Sequence, residues 1–573
     1  MKISSSTELM LDGRGIARVS PGDYKATGGE GSIYRLGGTI IKLYTDTHKM
    51  LRDRMPEKLS LLSKINNKFI VAPKGLVLDR SKNPLGYFMD YVDDGEPLPR
   101  VFTNAYRNRE GFGDDDAVKL VDNMMKAVQE AHKSKSIMVD HNEMNWLTVK
   151  KVEPRIIDVD SWAIDRWKAT VIMPSIRDWH TQDFNESTDW FSWGIVTFQV
   201  FAGIHPYKGK LNGYKTSEME RRMKENKSVF TTGVRLNKNV RDFSSIPSPL
   251  LDWYFNTFQK GQRNVPPSPF QTGPVNANVG RVARFIVTST GSLSFDKIFE
   301  SRGDEAIRIF DSGLVILKSG RIIELSSGRE IAMAKNRKCE IIDIGDGWLK
   351  ADVDAGEIFF SRIKRNGLGE DRLSINLNVK GVLCQANRMF AITERGLSEV
   401  KFMNLKEPMI AIGNTWDVKT NSTLWFSGVG IQDSMGSIHL VIPYGEKSLQ
   451  YARVKELDGL RIITAKAGNR FVTVIALDKN GDYQKLELAF DVNYRQYSLW
   501  KGVVDNPELN VSILKKGICA TIVQDGELVI FNPFNGGVSK IQDKYVSTDM
   551  ILSTYGEKVA CVHNGGVWRI STK

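Results

Sequence analysis

The stretch Ile137–Trp162, IMVDHNEMNWLTVKKVEPRIIDVDSW, decides how the first half of this 573-residue chain is read. An apolar run ends at Asp140, and Asn145 follows five positions later in a polar segment. A β-hairpin is expected next, after which Asp158 stands 13 residues beyond Asn145. Asp160 shares the tight turn of Asp158, where it would assist a metal or cap the following segment. His141, beside Asp140, would tune a local pKa or simply pack.

Upstream, the runs GSIYRL, TIIKLY, FIVAPKGLVL and LGYFMDYV give a β-rich start before residue 95. Between the first strands lies Ala26-Thr27-Gly28-Gly29-Glu30-Gly31-Ser32-Ile33-Tyr34. Such a turn is often no more than a turn, but glycines without Cβ also let a backbone approach phosphate closely. Lys42, inside the apolar Thr39-Ile40-Ile41-Lys42-Leu43, needs an anion, because a buried unpaired ammonium is costly. Two helices are expected, one over Asp115–Ser134 with an acidic start and one from about Thr188 through Phe201 that is apolar almost all round.

Taken in order, the Gly-rich turn, the strand-borne Lys42, Asp140-x-x-x-x-Asn145 and Asp158 resemble the signature of eukaryotic-like Ser/Thr protein kinases. The hexapeptide Asp189-Trp190-Phe191-Ser192-Trp193-Gly194 is similar to that family's D-x-W-S-x-G. The wording around Asp140 and Asp158-Val159-Asp160 is similar to that of bacterial kinases associated with helix-hairpin-helix domains. Two departures stand out: Met138-Val139 replaces the HR before the catalytic Asp, and Asp158-Val159-Asp160 replaces DFG. The APE motif is not recognisable near Pro174-Ser175-Ile176-Arg177, which leaves Arg263 without its usual acidic partner.

The resemblance implies a two-lobed α+β kinase domain over residues 1–270, with an N-lobe to about 92 and a C-lobe over about 93–270. It implies ATP and Mg²⁺ as cofactors, with Gly28, Gly29, Gly31, Ile33, Lys42, Met89 and Tyr91 at the nucleotide. Asp140 becomes the catalytic base, Glu57 the helix partner of Lys42, Asn145 and Asp158 the metal ligands, and Asp189 a brace for the catalytic loop. The missing HR Arg implies activity that does not depend on activation-loop phosphorylation.

Beyond about residue 275 helical periodicity stops, and seven strand pairs recur, starting at Gly313, Asp346, Asn387, Ser422, Asn469, Cys519 and Glu557. Their starts differ by 33 to 50 residues, close to the ~40 to 45 of a four-stranded propeller blade. An all-β domain, a β-propeller of about seven blades, is expected over 281–573, after a Pro-rich linker at 263–280. WD and Gly-His signatures are missing, so period and turn chemistry alone carry this expectation.

The net charge of +12 is spread among acidic residues, with no basic run interleaved with aromatics, which argues against nucleic acid as a partner. No apolar stretch approaches the ~18 residues of a membrane span, and no secretory pattern opens the chain, so a cytoplasmic location is expected, or a virion-associated one if a phage encodes the chain. Cys339, Cys384, Cys519 and Cys561 follow no metal-ligand spacing and read as reduced, buried thiols. The functional expectation is a Ser/Thr protein kinase acting on a protein substrate, with a propeller that binds another protein, to recruit substrate or to tether the enzyme. The alternative is a pseudokinase or structural interaction protein working through the propeller.

Overall fold

The computed structural model describes residues 2–572 apart from 170–171, 272–282, 285–291, 301–302, 336, 355–356, 366–368, 376, 447, 515–516 and 524–525. Half of the expected linker, 272–280, and most of the first residues of the all-β region therefore lie outside the described residues.

The chain opens with β1 (Thr7–Leu11), β2 (Gly15–Val19), β3 (Tyr24–Thr27), β4 (Gly31–Leu36) and β5 (Thr39–Tyr44). Helices α1 (Thr47–Arg52) and α2 (Met55–Leu62) precede β6 (Gly75–Leu78) and β7 (Pro84–Asp90). The strands form one antiparallel sheet in the order β2-β1-β6-β7-β5-β4-β3. Gly37, at φ +58°, makes the tight reversal between β4 and β5. That reversal fixes the register Ile33↔Lys42.

The next segment carries β8 (Glu96–Pro97), α3 (Asn104–Glu110), α4 (Asp114–Lys133), β9 (Ser136–Ile137), β10 (Trp146–Val149) and β11 (Glu153–Ile156). It ends with α5 (Glu186–Ala202), α6 (Met219–Lys224) and α7 (Ser248–Phe258). Three aspartates in the first turn of α4 suit the positive end of its dipole, and its Leu120, Val121, Met124 and Val128 are buried. Asn185 caps α5 by accepting from the Ser187 and Thr188 amides. Nearly every residue of α5 is buried, so it forms the central rod of this region. Its Phe198 packs edge-on against Phe230, Phe243, Tyr254 and Phe258.

From Leu293 onward the described chain forms seven four-stranded antiparallel sheets and no α-helix, an arrangement compatible with a propeller-like all-β domain. Each expected strand pair supplies central strands of one sheet. Six sheets are sequential hairpins, and the seventh joins Leu293–Glu300 to Gly566–Thr572, so the start and end of the region share one sheet. Each sheet buries an apolar cluster against the next, and the seventh does so against the first. Among the described residues no helix is long and apolar enough to cross a membrane. All four cysteines are free thiols; Cys339, Cys519 and Cys561 are buried and Cys384 is partly so. Burial pushes the thiols of Cys339 and Cys561 up to about 12.

The two regions are joined by a shared core. Ile463, Ile475, Leu477 and Tyr483 of the fifth sheet belong to the same buried cluster as α4, α5 and α7.

Candidate active site

Lys42 is held by β5 at the centre of the N-terminal sheet, opposite Tyr87 of β7. Its side chain is only 6 % exposed, and its Nζ lies 2.8 Å from Asp158 Oδ1 and 2.8 Å from Asp160 Oδ2. Tyr44, two residues along the same strand face, and Tyr87 each donate a 2.7 Å hydrogen bond to Asp160. Burial by itself would lower the Lys42 pKa, but the two carboxylates outweigh it and raise it well above the ordinary lysine value. Burial likewise pushes Asp160 upward, and Lys42 with its hydrogen bonds turns the net shift downward.

The expected partnership of Glu57 with Lys42 is not what the structure contains. Glu57 is half-exposed and pairs with Arg54 at 3.0 Å. Helix α2 buries Lys58, Leu59 and Leu62, which turns its neighbour Glu57 to solvent. Lys58 faces the site instead and donates to the Asp160 carbonyl at 2.6 Å.

Residues 138–145 form a tight loop held from below by Asp189, which is fully buried at the start of α5. Asp189 accepts from the Met138 amide at 2.8 Å, the Val139 amide at 2.9 Å and His132 Nε2 at 2.9 Å. Val139 adopts φ +57°, a costly conformation for a β-branched residue that survives only where surroundings impose it. The turn presents Asp140, whose Oδ1 accepts from the Met173 amide at 2.9 Å and from Asn142 Nδ2 at 3.2 Å. Burial raises the Asp140 pKa against those bonds. His141 is buried, its ring packed edge-on to Trp146 and its Nε2 3.1 Å from the Asp189 carbonyl.

Asn145 enters β10, and the β10–β11 hairpin, with Trp146 opposite Ile156, returns the chain to its side. The Ile157 amide donates to the Asn145 carbonyl at 2.9 Å, so Asp158 follows directly beside Asn145. Asp158 lies at φ +61°, its side chain 39 % exposed. Asn145 Nδ2 donates to the Asp140 carbonyl at 2.7 Å. Among the described residues no three His, Cys, Asp or Glu side chains cluster as a metal site. The donor set of one half-exposed carboxylate and one amide oxygen suits Mg²⁺, which takes few protein ligands beside phosphate oxygens.

Ile33, Met89 and Tyr91 join one apolar cluster beside Lys42, together with Val71 and Ile157. The Tyr91 amide is engaged, donating to the Gly38 carbonyl at 2.9 Å, and Arg35 covers the Tyr91 ring at 3.7 Å. Gly29 stands in open space and a Cβ at Gly28 would meet only the Gly31 carbonyl oxygen, at 3.8 Å, the Gly28 amide donating to that carbonyl at 2.8 Å. A Cβ at Gly31 would lie 2.6 Å from the Leu43 carbonyl oxygen, so this position requires glycine.

Several residues reach the site unannounced by sequence. Asp178 supplies the acidic partner of Arg263, taking Nη2 at 2.9 Å on one oxygen and Nε on the other. The signal for Tyr44 is its two-residue spacing from Lys42, which puts both on one strand face, whereas Asp178 has no local signal. From the C-terminal region, Arg461 Nη1 reaches Asn142 Oδ1 at 3.2 Å and Asn145 Oδ1 at 3.3 Å. Asp433 of the fourth sheet accepts from Tyr24 at 3.2 Å and from the Thr27 amide at 3.4 Å, beside the Gly-rich turn. No family model matches the chain, and no curated protein is significantly similar to it.

Proposed function

We propose that residues 1–270 are a two-lobed, protein-kinase-like phosphotransferase that moves the γ-phosphoryl group of ATP to Ser or Thr of a protein substrate, with Mg²⁺. The C-terminal region is read as a seven-bladed propeller that recruits that substrate or tethers the enzyme. One observation carries the reading: Lys42 from the N-terminal sheet meets Asp158, at 2.8 Å, beside Asn145, across more than a hundred residues of chain. A scaffold has no physical need for that set.

Phosphoryl transfer asks protein for positioning and charge more than for covalent chemistry. The open backbone of Gly28 and Gly29 and the Lys42 ammonium would hold phosphates. Ile33 and Met89 would offer an apolar wall to the base. Asn145 and Asp158 would hold Mg²⁺, which offsets the charge that develops on the phosphate oxygens. Asp140 would orient the acceptor hydroxyl and take its proton as the new O–P bond forms and ADP leaves; a carboxylate of raised pKa is the better base.

The test is transfer of labelled γ-phosphate, with self and a basic protein as acceptors, comparing wild type with Asp140→Asn and Asp158→Ala. Label on Ser or Thr that both substitutions abolish supports the reading. No label, with no Mg²⁺-dependent rise in melting temperature on adding ATP, leaves the second reading, a pseudokinase scaffold acting through its propeller. That reading is favoured by one observation, the closure of Lys42 onto both Asp158 and Asp160 while Glu57 faces Arg54.

A further inference from the structure

We propose that Arg461, contributed by the C-terminal region, is a phosphate-binding residue of this same site; the proposal rests on the phosphotransferase reading. Arg461 opens the first strand of the fifth sheet, Arg461–Gly468. Its two contacts, to Asn142 and Asn145, both run through Nη1, are long at 3.2 and 3.3 Å, and end on neutral amide oxygens. The residue is exposed. Among the described residues it has no carboxylate within ion-pair distance, unlike most arginines of this chain, and its charge is felt at Asp140 and Glu143.

A guanidinium has five donors in a planar fork that matches phosphate, and here most of them are uncommitted. Its placement is not that of a loose surface side chain. The adjoining Ile462 and Ile463 are buried, and the Ile463 carbonyl accepts from Arg100 Nε at 3.2 Å. At the same end of the sheet, Tyr483, which opens the third strand, donates to Glu143 Oε1 at 3.1 Å, and Asp482 in the turn before it lies 3.4 Å from Lys208 Nζ. The fifth sheet is thus anchored at the end that carries Arg461, which delivers an unbalanced cation to the metal-binding amide and the catalytic carboxylate. A cation supplied in this way to a transferring phosphoryl group stabilises the charge that builds there. When Arg461 turns to a phosphate oxygen, Asn145 Oδ1 loses its cationic partner and becomes available to a metal.

The experiment uses the full chain as wild type, Arg461→Ala, Arg461→Lys and, as a control on the far turn of the same sheet, Arg495→Ala. Binding of a non-hydrolysable ATP analogue and of ADP is measured calorimetrically with Mg²⁺, beside transfer rates. Arg461→Ala is expected to weaken the ATP analogue by about tenfold or more and ADP by less than about threefold. Transfer should fall at least about a hundredfold, with partial recovery in Arg461→Lys and none of these changes in Arg495→Ala. Equal losses for both nucleotides, or transfer unchanged or faster in Arg461→Ala, overturn the proposal while Asp158→Ala keeps the phosphotransferase reading under separate test. A wild type that binds neither nucleotide overturns both.

Discussion

At Lys42 the physical demand was legible from sequence and its answer was not. An ammonium in an apolar strand needs an anion, but Asp158 and Asp160 lie 116 and 118 positions away and only the tertiary fold brings them in. Asp160 is the buried half of that arrangement. Asp160→Ala should therefore cost about 3–5 kcal/mol, because it strips a buried cation of a buried partner, and urea denaturation measures it. Glu57→Ala should leave the same midpoint unmoved. The Glu57 expectation failed because residue type alone does not say which face of a short helix is buried, and α2 hides Lys58, Leu59 and Leu62.

His205 gives the pH dependence. Burial pushes its pKa down to about 3, and its Nε2 lies 2.8 Å from the Ser175 carbonyl. An unfolded histidine titrates near 6.5, so between these values the unfolded chain binds a proton that the folded chain refuses. Stability then falls as pH falls through this window, by about 2 kcal/mol at pH 5 from this group. His205→Gln should lose that much less stability than wild type between pH 7 and pH 5; equal slopes would mean that the folded chain accepts the proton.

Among the elements, α5 shows how tightly the helical part is packed. A Cβ on Gly194 would sit 2.9 Å from the Trp253 ring and 3.1 Å from Phe258. Gly194→Ala should cost about 1–3 kcal/mol by overpacking, even though alanine is the better helix former, and thermal melts read the sign. The extents of α4 and α5 were readable from periodicity and their polar starts. In the C-terminal region the central strands were readable because both of their faces are buried, as in Phe471–Leu477, where every residue is buried. Apart from Thr423–Phe426, the outermost strands were not. Gly537–Ile541 carries almost wholly exposed side chains, and Glu370–Leu373 buries only Leu373 and otherwise pairs its acidic side chains with Lys350 and Lys364 of the preceding strands, so neither shows an apolar pattern. Turn chemistry marks where such a strand begins but leaves its existence to the neighbour it bonds.

For the whole molecule, the shared cluster of Ile463, Ile475, Leu477 and Tyr483 with α4, α5 and α7 predicts that the two regions unfold together. Calorimetry should show one cooperative transition, which Tyr483→Ala broadens or splits; two well-separated transitions in the wild type would mean that the shared cluster contributes little. The contacts of the C-terminal region reach further than this cluster. Asp433 touches Thr27 beside the Gly-rich turn, and Arg461 touches Asn142 and Asn145. Their parent sheets, the fourth and fifth, are locked face to face by a buried cluster running from Val429 to Tyr494. Like the frame of a calliper, this pair of sheets sets the distance between the jaws, so any widening of the gap between turn and loop has to be levered through a spacing that neither jaw contains.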